Sequence, residues 1–133
     1  MNEPSVSSQD LKQLAGNGAQ VRNGILKKSR FKISSDKELV ERCEEDTGKR
    51  CSAPIWRELE NVQQEPPLGT LFLLVEMNSM KSGVVYIQSA TNELVDMVGK
   101  DFVGHMVMVT WEKGLRFTCS GNCKVGLIMS MTE

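Results

Sequence analysis

Thr70-Leu71-Phe72-Leu73-Leu74-Val75-Glu76-Met77 decides the fold, because it is a nearly continuous apolar run bounded by turn residues. Gly69 precedes it and Asn78 follows it, and a run of this length is short for a buried helix. We therefore expect a buried β-strand here. Residues 83–89 are rich in β-branched side chains and follow a short connection. The two runs are predicted to pair as a hairpin.

Short strand-like runs continue from there to the C-terminus. Residues 94–98 favour a third strand, although a single helical turn suits the same residues. Residues 106–111 and 115–119 flank a Glu-Lys-Gly turn, and the final run is expected to point alternate side chains to one face. These are about five or six short antiparallel strands, a pattern typical of a small closed barrel. The predicted fold class is therefore mainly β (α+β), with residues 66–133 forming a small antiparallel β-barrel that is OB-like by architectural analogy only.

The region before the barrel has helix signals. Ser34 or Ser35 suits an N-cap, acidic residues follow in the first turn, and Gly48 suits a stop, so a helix over 36–47 is predicted. Pro54 is well placed to open a second short helix. Its apolar side would consist of Ile55, Trp56, Leu59 and Val62. Residues 36–65 are accordingly predicted as a helical segment.

Residues 1–35 are polar and hold a single aromatic side chain, so they are expected to form a disordered arm. A basic island interrupts the arm, since no acidic residue lies between Asp10 and Asp36. Its cations are Arg22, Lys27, Lys28, Arg30 and Lys32. The island surrounds apolar residues, which favours a segment that contacts a phosphate-bearing or protein partner.

The chain has 133 residues and a formal net charge of −1, which fits one domain and excludes a protein that works through a global basic field. It contains no apolar run long enough for a membrane helix, and its first residues are polar, unlike a secretory signal. The expected location is intracellular, in the nucleus or the cytoplasm. In that setting the four cysteines are expected to be reduced thiols.

Enzyme chemistry is not expected. His105 is the only histidine, and it opens an apolar run instead of joining a polar cluster. The sequence has no G-x-S-x-G elbow, P-loop or G-x-G-x-x-G fingerprint. Cys119 and Cys123 are weak zinc candidates, with Cys43, Cys51 or His105 as further ligands. A β-turn flanked by two small buried thiols is the favoured interpretation, so no cofactor is predicted.

Binding of single-stranded nucleic acid needs exposed aromatic side chains and positive charges along the backbone path. The candidate residues in the barrel are Tyr86, Trp111, Phe117, Lys113 and Arg116. Residues 68–133, however, hold five basic and six acidic side chains, so this half lacks an attractive field.

Gly24-Ile25-Leu26-Lys27 resembles the Gly/Ser-Ile-Leu-Lys/Arg docking motif of protein phosphatase 1 regulators. Those regulators usually add a basic-Val-x-Phe motif downstream, and the segment from Lys28 to Phe31 lacks the valine. The leading hypothesis is a non-enzymatic binding module that acts as a subunit or adaptor of a hetero-oligomeric assembly. Direct binding of single-stranded DNA or RNA and docking on the phosphatase are the alternatives.

Overall fold

The computed structural model describes residues 26–32, 34–78 and 81–131. In chain order their elements are β1 (Lys28–Lys32), α1 (Asp36–Thr47), β2 (Ile55–Gln64), β3 (Thr70–Met77), β4 (Val84–Gln88), β5 (Leu94–Val98), a 3-10 turn (Lys100–Phe102), β6 (His105–Thr110) and β7 (Arg116–Met129). All strand pairings are antiparallel and join the strands into one curled sheet. The predicted mainly β, barrel-like fold is confirmed, and residues 94–98 are a strand.

β7 is the centre of the sheet. One of its edges pairs with β2 over nearly its whole length. The other edge pairs first with β4, as in Val84 opposite Ser120, and then with β3, as in Glu76 opposite Lys124. β3 and β4 therefore lie end to end along β7. The predicted β3–β4 hairpin is wrong, because β7 supplies the partner for both strands.

The predicted turn between Cys119 and Cys123 is also wrong, because β7 runs through it as one strand. Gly121 has a φ of +82° and, on the neighbouring strand, Asn61 has a φ of +52°. Gly121 donates its backbone N–H to Asn61 Oδ1 at 2.8 Å. Glycine and asparagine tolerate positive φ better than other residues. The register between β2 and β7 shifts at this point, which marks a β-bulge. The two strands therefore bend together here instead of ending.

The sheet buries apolar side chains on both faces. The inner face, on the concave side of the curl, carries Val75, Val107 and Val125 in the larger cluster. The other face, here called the helix face, carries Leu74 and Met108 in a second cluster with α1 residues. The described residues thus form two clusters that share one sheet.

α1 begins and ends as predicted. Ser35 and Glu38 form a reciprocal capping box, and Gly48 ends the helix with a φ of +70°. Leu39 and Cys43, four residues apart, are buried on the helix face of the sheet. No helix in the described residues is long and apolar enough to cross a bilayer.

The predicted second helix does not form, because residues 55–64 are strand β2. The bulge explains the misleading pattern. Leu59 and Val62 lie opposite Cys123 and Cys119 of β7, so both belong to the inner face although they are three residues apart. At the bulge Asn61 alone lies opposite Ser120 and Gly121 of β7, so the alternation of β2 shifts by one position. A spacing of three, which resembles a helix period, thus arises within a strand.

Part of the predicted disordered arm is ordered. Residues 28–32 form β1 and pair with β6, so the prediction of disorder is wrong for this segment, while residues 1–25 lie outside the described residues. Asp96 of β5, 2% exposed, connects the two ends of the sheet. Its Oδ1 lies 2.7 Å from Lys28 Nζ, and its Oδ2 accepts the backbone N–H of Leu26 at 3.1 Å. β1 is thereby fastened to β5.

Candidate binding surface

β2 leaves a long backbone edge free. It spans ten residues and pairs only with β7, so its second edge has no strand partner within the described residues. Most of its side chains are exposed. An open edge of this kind presents unpaired N–H and C=O groups that can hydrogen-bond to an added strand.

An apolar groove lies beside this edge on the inner face. The cavity has a volume of about 190 Å³. Its lining residues are Ile55, Arg57, Leu59, Gln64, Glu65, Pro66, Pro67, Phe117, Val125, Leu127 and Met129. Ile55 stands opposite Leu127 in the register and is 47% exposed. Since an exposed isoleucine next to a groove costs free energy in water, this position favours contact with a partner.

The other exposed large apolar side chains of the described part lie at the same end of the sheet. Leu68 is 76% exposed and Met131 is 58% exposed. Gly69 separates Leu68 from β3 and Ser130 separates Met131 from β7. The backbone N–H of Ser130 donates to Gly69 O at 2.9 Å. Together with the groove, this apolar end extends the surface beyond β2 itself.

The helix face of β2 is acidic. Glu58 and Glu60 are both exposed there, and no ion pair involves either of them within the described segments. Lys124 stands opposite Glu58, but its Nζ lies 3.4 Å from Glu76 and 5.2 Å from the Trp56 ring centroid. The edge therefore has an apolar side and a negatively charged side.

The predicted basic island is partly visible on β1. Lys28, Arg30 and Lys32 alternate along the strand and share the inner face, since Lys28 and Arg30 stand opposite Val109 and Val107. Arg30 Cζ lies 4.8 Å and Lys28 Nζ 5.6 Å from the Phe102 ring centroid. Lys28 is also engaged by Asp96, so Arg30 and Lys32 remain the more available cations. Lys27 is exposed, and Arg22 lies outside the described residues.

Two of the predicted stacking aromatics belong to the core. Trp111 and Phe117 are buried and contact each other edge to face, with ring centroids 6.2 Å apart. Neither ring presents a face to a base. Tyr86 is half-buried on β4. Lys113 is exposed in the turn before β7, and Arg116 lies 3.4 Å from Glu65, so the structure does not bring these candidates together as one stacking platform.

The resemblance to the phosphatase docking motif falls on a segment whose second half is packed. Leu26 is 2% exposed and belongs to the inner-face cluster. The carbonyl of Lys27 accepts the backbone N–H of Thr110 at 2.9 Å. Gly24 and Ile25 lie outside the described residues. For Leu26 to reach a phosphatase, it would have to leave the core.

The four cysteines are free thiols in two separated pairs. Cys119 and Cys123 lie in the inner-face cluster, while Cys43 and Cys51 lie in the helix-face cluster. Residues 26–32, 34–78 and 81–131 contain no group of three or more side chains able to hold a metal ion, so these weak zinc candidates do not converge. His105 is half-buried at the start of β6 and belongs to neither of the two clusters that hold the cysteine pairs.

Burial, followed by the nearby Cys51, raises the pKa of the Cys43 thiol to about 12. Burial also raises the pKa of Cys51. A hydrogen bond between Cys119 and Cys123 raises the pKa of Cys119 and lowers that of Cys123. Since thiolate is the reactive form and all four thiols are buried, nucleophilic chemistry is disfavoured.

We expect the native protein to react slowly with a disulfide reagent such as Ellman's reagent at mildly alkaline pH. After denaturation all four cysteines should react rapidly, because unfolding exposes them and restores the ordinary thiol pKa. Counting released thionitrobenzoate with time checks both states. A fast native reaction that a Cys43→Ser variant abolishes would contradict the burial of this thiol.

Sequence reasoning missed the β2 edge, because β2 was predicted as a helix. The signal that could have revealed it is the Asn61 position, where an asparagine that tolerates positive φ separates two alternating segments. No protein-family model, no curated protein and no solved structure matches this chain.

Proposed function

We propose that the protein is a non-enzymatic binding module, a subunit or adaptor of a larger intracellular assembly that is held by protein–protein contacts. The observation that carries this proposal is the ten-residue edge of β2, which has no strand partner in the described part of the chain and lies beside an apolar groove. Strand addition at such an edge provides main-chain hydrogen bonds for affinity and side-chain pockets for specificity.

The straight part of the edge, Ile55–Glu60, lacks two common protections of an edge strand, although its Arg57, Glu58 and Glu60 are charged. Native edge strands are commonly blunted by lysine, proline or short length. This segment has neither residue type, and it begins with the half-exposed Ile55. The bulge that could deter pairing lies beyond it at Asn61. These features support an edge that receives a partner.

Ile55→Lys should abolish partner binding while leaving the fold intact. A lysine can extend into solvent from a half-exposed position, but it would place a charge where a partner strand packs. The matched control is Ala90→Lys, which adds the same charge in the exposed turn between β4 and β5. Quantitative affinity capture of the full chain from cell extract should lose a partner with the first variant only. Equal recovery with both variants would contradict the proposal.

A second candidate function is binding of single-stranded nucleic acid along β1. The alternating row of Lys28, Arg30 and Lys32 next to the Phe102 ring favours it, since cations and an aromatic side chain occur together. It is the weaker proposal, because Trp111 and Phe117 are buried.

Under this second proposal, Arg30→Ala with Lys32→Ala should weaken binding of a fluorescent oligonucleotide. The slope of log affinity against log salt concentration should fall by about 0.7 for each phosphate contact that is lost. Lys49→Ala is the control, since Lys49 is an exposed cation that follows α1 and lies outside β1. Fluorescence anisotropy across a salt series measures both quantities. Absence of binding at low salt would remove this candidate.

Docking on protein phosphatase 1 is the third candidate. It depends on Gly24–Lys27, and the buried Leu26 would have to be released first. The cost of exposing a core leucine, about 2 kcal/mol or more, makes this the least favoured proposal.

A further inference from the structure

We infer that the β2 edge receives an extended segment that carries apolar side chains on one face and basic side chains on the other. This inference rests on the proposed function and specifies the chemistry of the partner. It follows from the two faces of Ile55–Glu60, which differ in polarity.

The inner face requires apolar partner side chains. Ile55 and Leu59 project to this side, next to Leu127 and Met129 of the groove. Arg57, between them, also lines the groove and is exposed. Directly opposite residues in adjacent strands share a face and lie close together. A partner strand therefore needs apolar residues opposite Ile55 and Leu59, and an acidic or polar residue opposite Arg57.

The helix face requires positive charge. Glu58 and Glu60 are exposed two residues apart, so both point to this side. Lys124, the nearest cation in the register, already contacts Glu76 and the Trp56 ring. Asp36 adds negative charge on the same side, because its Oδ1 accepts the Trp56 Nε1 hydrogen at 3.0 Å. Lysine or arginine opposite the two glutamates would complement this field.

The same charges disfavour a second copy of the chain as the occupant. Two-fold pairing of equivalent edges is antiparallel and keeps each face of the sheet continuous. The registers that pair most of Ile55–Glu60 then oppose either Arg57 to Arg57 or Glu58 to Glu58. Like charges placed directly opposite each other are destabilising. A foreign strand of opposite charge avoids this repulsion.

An antiparallel partner strand, read from its N-terminus, first needs a basic residue opposite Glu60, then an apolar one opposite Leu59 and a basic one opposite Glu58. An acidic or polar residue then follows opposite Arg57. The strand ends with any residue opposite Trp56 and an apolar one opposite Ile55. The probe is a fluorescent peptide that contains Lys-Val-Lys-Glu-Thr-Val. Its matched control contains Glu-Val-Glu-Glu-Thr-Val and differs only at the two positions that face Glu60 and Glu58. The full chain should bind the lysine peptide at least tenfold more tightly, as measured by fluorescence anisotropy.

A double variant of the full chain, Glu58→Lys with Glu60→Lys, should reverse the preference toward the glutamate peptide. Both positions are exposed, and circular dichroism verifies the fold. Ile55→Lys should weaken binding of both peptides at least tenfold, because it removes their shared apolar contact.

Equal binding of the two peptides, or binding of neither, would overturn the inference about chemistry. The proposed function would still stand if capture from extract depended on Ile55, so the two failures are distinguishable. A concentration-dependent dimer in sedimentation that Ile55→Lys abolishes would identify a second copy as the occupant instead. Displacement of the lysine peptide by a synthetic peptide of residues 1–25 would identify the chain's own N-terminal segment. Either result would also overturn the inference.

Discussion

Asp96→Ala should lower the free energy of unfolding by about 3 kcal/mol, the lower end of the cost of breaking a buried ion pair, because Lys28 is partly exposed. The carboxylate is 2% exposed and lies 2.7 Å from Lys28 Nζ. It also accepts the backbone N–H of Leu26, which is buried in the inner-face cluster. The variant would remove an acceptor of the Lys28 ammonium group and of the backbone N–H groups of Leu26 and Met97, and β1 would lose its connection to β5. Urea unfolding followed by circular dichroism measures the change.

Asp101→Ala is the matched control, because Asp101 is an exposed carboxylate on the 3-10 turn. Its effect should stay within about 0.5 kcal/mol. Adding Lys28→Met to Asp96→Ala should recover part of the lost stability, since the double variant no longer holds an uncompensated cation. If Asp96→Ala were as stable as the control, the proposed connection between β1 and β5 would be wrong.

Gly83→Ala should destabilise the fold by about 3 kcal/mol, at the upper end of the range for overpacking. A Cβ at this position would lie 2.2 Å from the carbonyl oxygen of Ser120 and 2.9 Å from the carbonyl carbon of Gly121. Both are backbone atoms at the bend of β7, so they cannot move as a side chain can. Gly83 also donates its N–H to Asn122 O at 2.7 Å, which holds the contact in place. Thermal and urea unfolding of the purified variant measure the loss.

Gly99→Ala provides the comparison for Gly83→Ala. Its nearest neighbour would be the terminal Cε of Met97 at 3.1 Å, and a methionine side chain can rotate away. The effect should be about 1 kcal/mol or less. Similar losses for the two variants would show that the close backbone approach at Gly83 does not control stability.

Local sequence signals were sufficient for several elements. The Ser35 to Gly48 segment contains its own cap, apolar spacing and stop, so α1 follows from short-range interactions alone. The run from Thr70 to Met77 is so uniformly apolar that only a strand buried on both faces accommodates it, and α1 on one face and the inner cluster on the other provide that burial.

Strand pairing could not be predicted in the same way. The sequence order favours a hairpin between β3 and β4, yet both pair with β7 from a distant part of the chain. Likewise, the Leu59 to Val62 spacing predicts a helix until the bulge at Asn61 is known. Pairing energy depends on which strand lies opposite, and nothing within a short window contains that information.

For the candidate binding surface, too, the sequence predicted some features and only the tertiary contacts revealed others. Composition and missing motifs favour binding over catalysis, and the sequence displays the basic residues of β1 openly. It could not show that Lys28 is engaged by a buried carboxylate, that Trp111 and Phe117 pack together, or that β2 has a free edge.

The run from Thr70 to Met77, strand β3, shows what the sequence determines and what the fold adds. Its apolar composition, short length and flanking turn residues together predicted a buried strand, because these are local properties of the sequence. Which strands flank it, where β7 bends and which edge stays open depend on contacts between residues far apart in the chain. Those contacts exist only in the folded molecule, so the tertiary structure alone decided that the outer edge of β2 has no strand partner within the described residues.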